Sequence, residues 1–256
     1  MATPALRPLS TGEVLDTGFG LYRALFVPLV IISLACKCVP LVLGIYVQQL
    51  SGSSATAIFD HWQLALVQLV LAVLLNMVAV AATTFVVSGA YLGVPTTANV
   101  ALRRAIGLLG PLTVATLLSA FSVGIGLVVL IVPGLILWSG LALATAVIAL
   151  EQPVTGIGAM NRSWELTKGF RFKVFISIFV AMLLFLIPTM VVGVVAALGN
   201  LTGAWSPLIS NVLAALLQVF VAPFMYVVVT VLYYDLRVRK EAFDLELLAA
   251  ATQPAG

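Results

Sequence analysis

Two long stretches without charge restrict the fold of this chain more than any other feature. No charged residue occurs between Arg104 and Glu151, or between Lys173 and Asp235. A transmembrane helix needs about 20 apolar residues, so each stretch is long enough for two. The whole chain is 62% hydrophobic and 8% charged, whereas soluble domains are about 25% charged. We therefore predict an all-α, polytopic integral membrane protein.

The apolar stretches predict six transmembrane helices. The four apolar stretches are Leu25–Leu50, Trp62–Leu92, Ala105–Leu150 and Val174–Tyr234. We expect one helix in each of the first two stretches and two helices in each of the last two. The turn between the third and fourth helices lies near Pro133-Gly134 or earlier, within residues 122–126, because these are the Gly- and Pro-containing positions. The chain then divides into an N-terminal segment (1–24), a membrane domain (25–234) and a C-terminal tail (235–256).

The basic residues predict the orientation of these helices. With six spans, every Lys and Arg except Lys37 falls on one side of the membrane. Positively charged loops favour the cytoplasmic side, so both termini should be cytoplasmic. The basic residues are divided among four separate patches, which argues against nucleic-acid binding. The expected partners are membrane lipids, together with other integral membrane subunits or further copies of the chain.

Three polar segments on the cytoplasmic side have the pattern of amphipathic surface helices. The first, in residues 1–24, begins with Ser10 and Glu13 at the spacing of a capping box. The others lie near 96–106 and 155–169, and Gly169 is a natural helix end. The residues that we expect at the membrane interface are one tryptophan and six basic side chains: Trp164, Arg162, Lys168, Arg171, Lys173, Arg103 and Arg104. The alternative is a ligand or partner site on the polar face of the 155–169 helix.

Each surface helix precedes a pair of predicted spans, so the chain reads as three similar units. In the first unit, the segment "RPLSTGEVLDTGFGLYR" begins at Arg7. Further along the chain lie Pro133-Gly134, Glu151, Ser163-Trp164, Leu166-Thr167 and Gly169, and the segment "YYDLRVRKEAFDLE" follows the last span. These segments resemble the bacterial membrane domain that is fused to some glycerophosphoryl diester phosphodiesterases and also occurs alone. The resemblance implies a multi-span protein of the bacterial inner membrane, here without the catalytic domain.

Lys37 is the exception to the charge pattern, because it lies near the middle of the first span. A charge at this depth is costly and is usually functional. It either faces the helix bundle, or extends towards the membrane surface, or lies nearer the outer surface because the span boundary is shifted. If it faces the bundle, Asn76 is the predicted acceptor, since both lie at a similar distance from the first outer loop. Cys36 and Cys38 flank Lys37 and point in opposite directions on a helix, so we expect packing roles for both.

The sequence contains no group of residues that predicts catalysis. The single histidine, His61, lies beside Asp60 in the outer loop, and no acid lies inside a predicted span. We therefore expect no catalytic residues, metal ligands or cofactors, and no enzymatic activity. The predicted role is that of a membrane scaffold or accessory subunit. The alternative is a small transporter or channel with a polar site around Lys37 and Asn76, and an enzyme acting on lipids is a third hypothesis.

Overall fold

The structure is a computed structural model that describes residues 7–51, 62–202 and 207–243. These residues form only α-helices, which run in the order α1 Thr11–Ala24, α2 Phe26–Ser51, α3 Trp62–Tyr91, α4 Ala98–Ile106, α5 Leu109–Val129, α6 Ile131–Leu141, α7 Ala144–Leu150, α8 Gly156–Thr167, α9 Arg171–Leu201 and α10 Pro207–Glu241. Six segments within them are long and apolar enough to cross a membrane: Phe26–Val47, Trp62–Tyr91, Leu109–Val129, Ile131–Leu150, Arg171–Gly199 and Ile209–Glu241. The predicted all-α, six-span fold is confirmed.

The three short helices α1, α4 and α8 occupy the positions of the predicted surface helices. Each follows a hydroxyl residue with an extended backbone, namely Ser10, Thr97 or Thr155. Ser10 completes the predicted capping box: its Oγ accepts from the Glu13 N–H at 3.3 Å, and Glu13 Oε2 accepts from the Ser10 N–H at 2.7 Å. At the end of α8, Gly169 has a φ of 88°, which residues with a side chain rarely adopt.

Two boundaries differ from their predicted positions. The third span ends at Leu130, whose extended backbone separates α5 from α6, so the turn lies between the two predicted positions. Gly126 and Gly134 pack so closely that a Cβ atom on Gly126 would lie 2.9 Å from the Cα atom of Gly134. The last helix continues through Asp235 to Glu241, so the start of the predicted tail is helical. The Asp60–His61 pair and the tail after Phe243 lie outside the described residues.

In sequence order, the described helices form three units, α1–α3, α4–α7 and α8–α10, each a short helix followed by a pair of spans. The two long helices of each unit pack as a hairpin. The short helix packs elsewhere, however: α1 against α10 and α9, α4 against α3 and α2, and α8 against α5, α7 and α6. Each short helix therefore packs against the hairpin of the preceding unit, and α1 closes the ring by packing against the last.

The two ends of the bundle differ in how tightly they are packed. We call the end that carries α1, α4 and α8 the charged end. Towards it, most of α3 from Met77 to Tyr91 and most of α10 from Val227 to Leu236 is buried. In the opposite half, α3 exposes much of its surface between Trp62 and Val73. The hydrophobic core therefore lies near the charged end, and space between the helices is left in the opposite half.

Candidate functional site

Buried ion pairs join the elements at the charged end. Asp235 of α10 is fully buried and forms ion pairs with Lys173 and Arg239. Its Oδ1 also accepts the backbone N–H of Leu9 at 2.7 Å, while the Leu9 carbonyl accepts from both basic side chains. Lys173, predicted at the membrane interface, therefore holds the segment before α1 against α9 and α10.

A second ion-pair network connects α8 to α10. Arg162 binds Glu151 at 2.8 Å and also pairs with Glu241, and Glu151 accepts from the Tyr233 hydroxyl at 2.9 Å. Partial burial would lower the pKa of Arg162, but the hydrogen bonds and charges of the two carboxylates outweigh it and raise that pKa. Arg162 is thus engaged in contacts within the protein.

Trp164 is also in contact with other helices of the bundle. Its ring lies directly against Gly140 of α6, where a Cβ atom would overlap with it. The guanidinium of Arg171 lies 3.6 Å from the centroid of the ring. The ring is therefore held by α6 and by the start of α9, and it joins the second and third units.

The other predicted interface residues are accessible. Arg103, Arg104 and Lys168 are exposed. Of the seven predicted interface residues, these three are the exposed ones, and their contact with lipid headgroups stays a prediction. The other four, described above, lie partly buried in contacts that hold helices together.

The opposite half of the bundle contains an open cavity of about 840 Å³ between α2, α3 and α10. Most of its wall is apolar, but six polar side chains line it: Lys37, Gln68, Asn76, Thr116, Asn211 and Gln218. None of the described residues that line it is acidic. A largely apolar cavity with a few polar groups is typical of sites for small molecules.

Lys37 faces this cavity, as the bundle-facing hypothesis predicts. Its Nζ donates to Gln218 Oε1 at 3.4 Å, which is a long hydrogen bond. Cys36 is buried and also lines the cavity, whereas Cys38 is exposed. The prediction that the two cysteines point in different directions is confirmed.

Asn76 lines the same cavity, but it is not the acceptor for Lys37. Its Oδ1 accepts from the Tyr226 hydroxyl at 2.7 Å. The structure therefore places both predicted residues at one site and assigns them different partners. The prediction overlooked Gln68, Asn211 and Gln218, although amide side chains within an uncharged apolar stretch were a signal that could have identified them.

The polar residues are arranged in order of depth. Farthest from the charged end, Gln68 lies beside Gly44, which leaves space for its amide. The Lys37–Gln218 pair lies deeper, and the Asn76–Tyr226 pair lies at the base of the cavity, above the buried part of α3. Since Asn76 is near the middle of its span, the cavity reaches about halfway through the bundle.

Among the described residues, no three His, Cys, Asp or Glu side chains form a group that could hold a metal ion. A comparison with protein-family models found no match. Searches of curated proteins and of solved structures also found no match.

Proposed function

We propose that this membrane protein binds an anionic solute in the cavity around Lys37 and carries it across the membrane. The observation that carries this proposal is the position of Lys37, a basic residue near the middle of its span, on the wall of a cavity of about 840 Å³. A charge at this depth is costly in a scaffold and is common on substrate pathways.

The lining residues favour an anion. The Lys37 ammonium has three N–H donors, and its hydrogen bond with Gln218 is long, so donors remain for a ligand. The described lining supplies amides rather than a carboxylate to balance the charge. An anion would balance the charge of Lys37, while the amide N–H groups of Gln68 and Gln218 supply further donors.

The difference in packing between the two halves supports transport. A carrier exposes its site to one side of the membrane at a time. The cavity lies in the loosely packed half, and the buried core near the charged end closes it from the other side. The basic residues predict that the charged end lies in the cytoplasm, and the cavity would then open to the outside of the cell.

The scaffold hypothesis ranks second. It is favoured by the closely packed charged end, where ion pairs and Trp164 join the three units. That hypothesis gives no reason for a basic residue at the wall of a cavity. Membership in the glycerophosphoryl diester phosphodiesterase membrane-domain family is a further proposal, which rests on the segments quoted above.

Thiol labelling in proteoliposomes tests the proposal. Asn76→Cys, in a chain with Cys36 and Cys38 replaced by serine, should react with a membrane-impermeant methanethiosulfonate. A sulfonate reagent should react at least about tenfold faster than a trimethylammonium reagent, because clefts of one charge concentrate the opposite charge. Lys37→Met should remove this preference. Ala82→Cys, in the buried part of α3, is the matched control and should stay unlabelled.

Absence of labelling at Asn76→Cys from either side of the membrane would show that the cavity is closed to water and would reject the proposal. Equal rates for the two reagents in the presence of Lys37 would reject an anion as the solute.

A further inference from the structure

A second cavity adjoins the one around Lys37. Its volume is about 410 Å³, and it lies between α5, α6 and α7. Its wall is more apolar than that of the first cavity, and it includes Leu127, Trp138 and Leu141. Thr116 of α5 lines both cavities. We call the first cavity the polar chamber and the second the apolar chamber; Thr116 lies in the wall of both.

Two hydroxyl groups at this junction lack the hydrogen bond that is common in transmembrane helices. In such helices, Thr and Ser commonly donate to the backbone carbonyl one turn earlier. Thr84, Thr113 and Thr230 follow this rule. Thr116 and Ser119, by contrast, have buried hydroxyl oxygens without any hydrogen-bond partner, as do Thr83 of α3 and Ser177 of α9. Of these four residues, Thr116 and Ser119 line the second cavity, one turn apart on α5, so unused hydrogen-bonding groups lie in its wall.

From this arrangement we infer that the ligand is a single-chain amphiphile with an oxyanion headgroup. The headgroup binds Lys37 and the amides around it, and the hydrocarbon chain passes Thr116 into the second cavity. The inference rests on the proposed function and adds to it the chemical class of the solute. Binding requires no covalent step, because ion pairing and burial of methylene groups supply the affinity.

The apolar chamber contains its own reporter, because Trp138 lines it. We would titrate the detergent-solubilised full chain with 12-bromododecanoate, whose bromine quenches tryptophan fluorescence on contact. The expected result is saturable quenching that is absent in Trp138→Phe and is reversed by laurate. Lys37→Met should weaken binding of laurate by about tenfold or more, as expected for loss of a charge-assisted hydrogen bond. Dodecanol, which has the same chain but no charge, should compete poorly.

The chain supplies a matched pair of variants for the apolar chamber. A Cβ atom on Gly124, which lines the second cavity, or on Gly193, which lies on α9, would meet no atom within 4 Å. Gly124→Leu should fill the chamber and weaken binding of laurate about tenfold, the effect of excluding roughly two methylene groups. Gly193→Leu should bind as the unmodified chain does.

The possible outcomes separate this inference from the function on which it rests. If Lys37→Met abolishes binding of laurate and Gly124→Leu does not weaken it, the anion site stands and the amphiphile inference is overturned. Competition by dodecanol as strong as that by laurate would overturn the role of the oxyanion. If bromododecanoate binding is insensitive to both Lys37→Met and Gly124→Leu, the inference fails; failure of the thiol-labelling test would reject the proposed function itself.

Discussion

The backbone N–H of Leu9 donates to the Oδ1 of Asp235 at 2.7 Å, across a sequence separation of 226 residues. This bond closes the ring of three units, because it fixes the start of α1 to α10. The same carboxylate pairs with Lys173 and Arg239. A single buried acid thus links the first unit to both long helices of the third.

Asp235→Ala should lower the free energy of unfolding by about 3–5 kcal/mol, because it leaves Lys173 and Arg239 partly buried without their common partner. Thermal unfolding in detergent measures this loss. The exposed pair of Arg7 with Glu13 provides the control, since Arg7→Ala should have little effect. Equal stability of Asp235→Ala and the unmodified chain would show that the ring is not closed through Asp235.

Gly140→Ala should destabilise the protein by about 1–3 kcal/mol, because the added methyl group overlaps with the Trp164 ring. The matched control is Gly193→Ala, where the methyl group meets no atom within 4 Å; it should be neutral or stabilise the helix by about 0.5–1 kcal/mol. Thermal unfolding of the two variants compares them directly. Similar stabilities would contradict the close packing of Trp164 on α6.

Glu13 should titrate with a pKa of about 2, below its ordinary value of 4.5, because it accepts from the Ser10 backbone and from Arg7. A depressed folded-state pKa means that the carboxylate stabilises α1 above pH 4.5 and that this contribution is lost as the pH falls from 4.5 towards 2. Carbon-13 NMR of the Glu13 carboxyl group measures the pKa. Arg7→Ala should raise it partway, while a pKa of 4.5 in the unmodified chain would rule out the capping box.

Lys37→Met should fold with unchanged or slightly increased stability. The substitution removes one long hydrogen bond to Gln218 and relieves the desolvation of a charge within the bundle. Unfolding in detergent measures the stability, and the anion assays described above measure the function. A large loss of stability would mean that Lys37 is a structural hydrogen-bond donor, and its role in binding a solute would then need a different variant, such as Lys37→Arg.

The orientation of the bundle can be tested in intact cells. Cysteines placed at Arg103 and at Lys168 should be protected from an external, impermeant thiol reagent, and one at Ser53 should react. The reason is that all basic residues except Lys37 fall on one side of the six spans. External labelling at Arg103 or Lys168 would reverse the topology and would place the cavity on the cytoplasmic side.

The sequence was sufficient to predict the spans and the surface helices, because each depends on local properties. A helix of 30 residues needs only sustained apolarity, and α1, α4 and α8 each follow a hydroxyl residue suited to an N-cap. The turn at Leu130 was harder to locate, because both sides of it are apolar and no polar residue marks it.

The partners of the polar residues could not be predicted from the sequence. Helices α3, α9 and α10 contain 30, 31 and 35 residues, which exceeds the length needed to cross about 30 Å of hydrocarbon. The depth of a residue then depends on how its helix tilts and slides against its neighbours. Asn76 was therefore assigned to the correct cavity but to the wrong partner, and Gln218 was missed.

The ring arrangement also has a consequence for the order in which the protein is made. Helices α4 and α8 pack on hairpins that the ribosome has already produced, so each can dock as it emerges. Helix α1 is synthesised before the other described helices, yet its binding surface lies on α9 and α10, the last two of them. Helix α1 can therefore dock only after the third hairpin has been inserted into the membrane. A ribosome that stalls before α10 leaves the Leu9 segment without Asp235, so among the described helices α1 is the last that can dock.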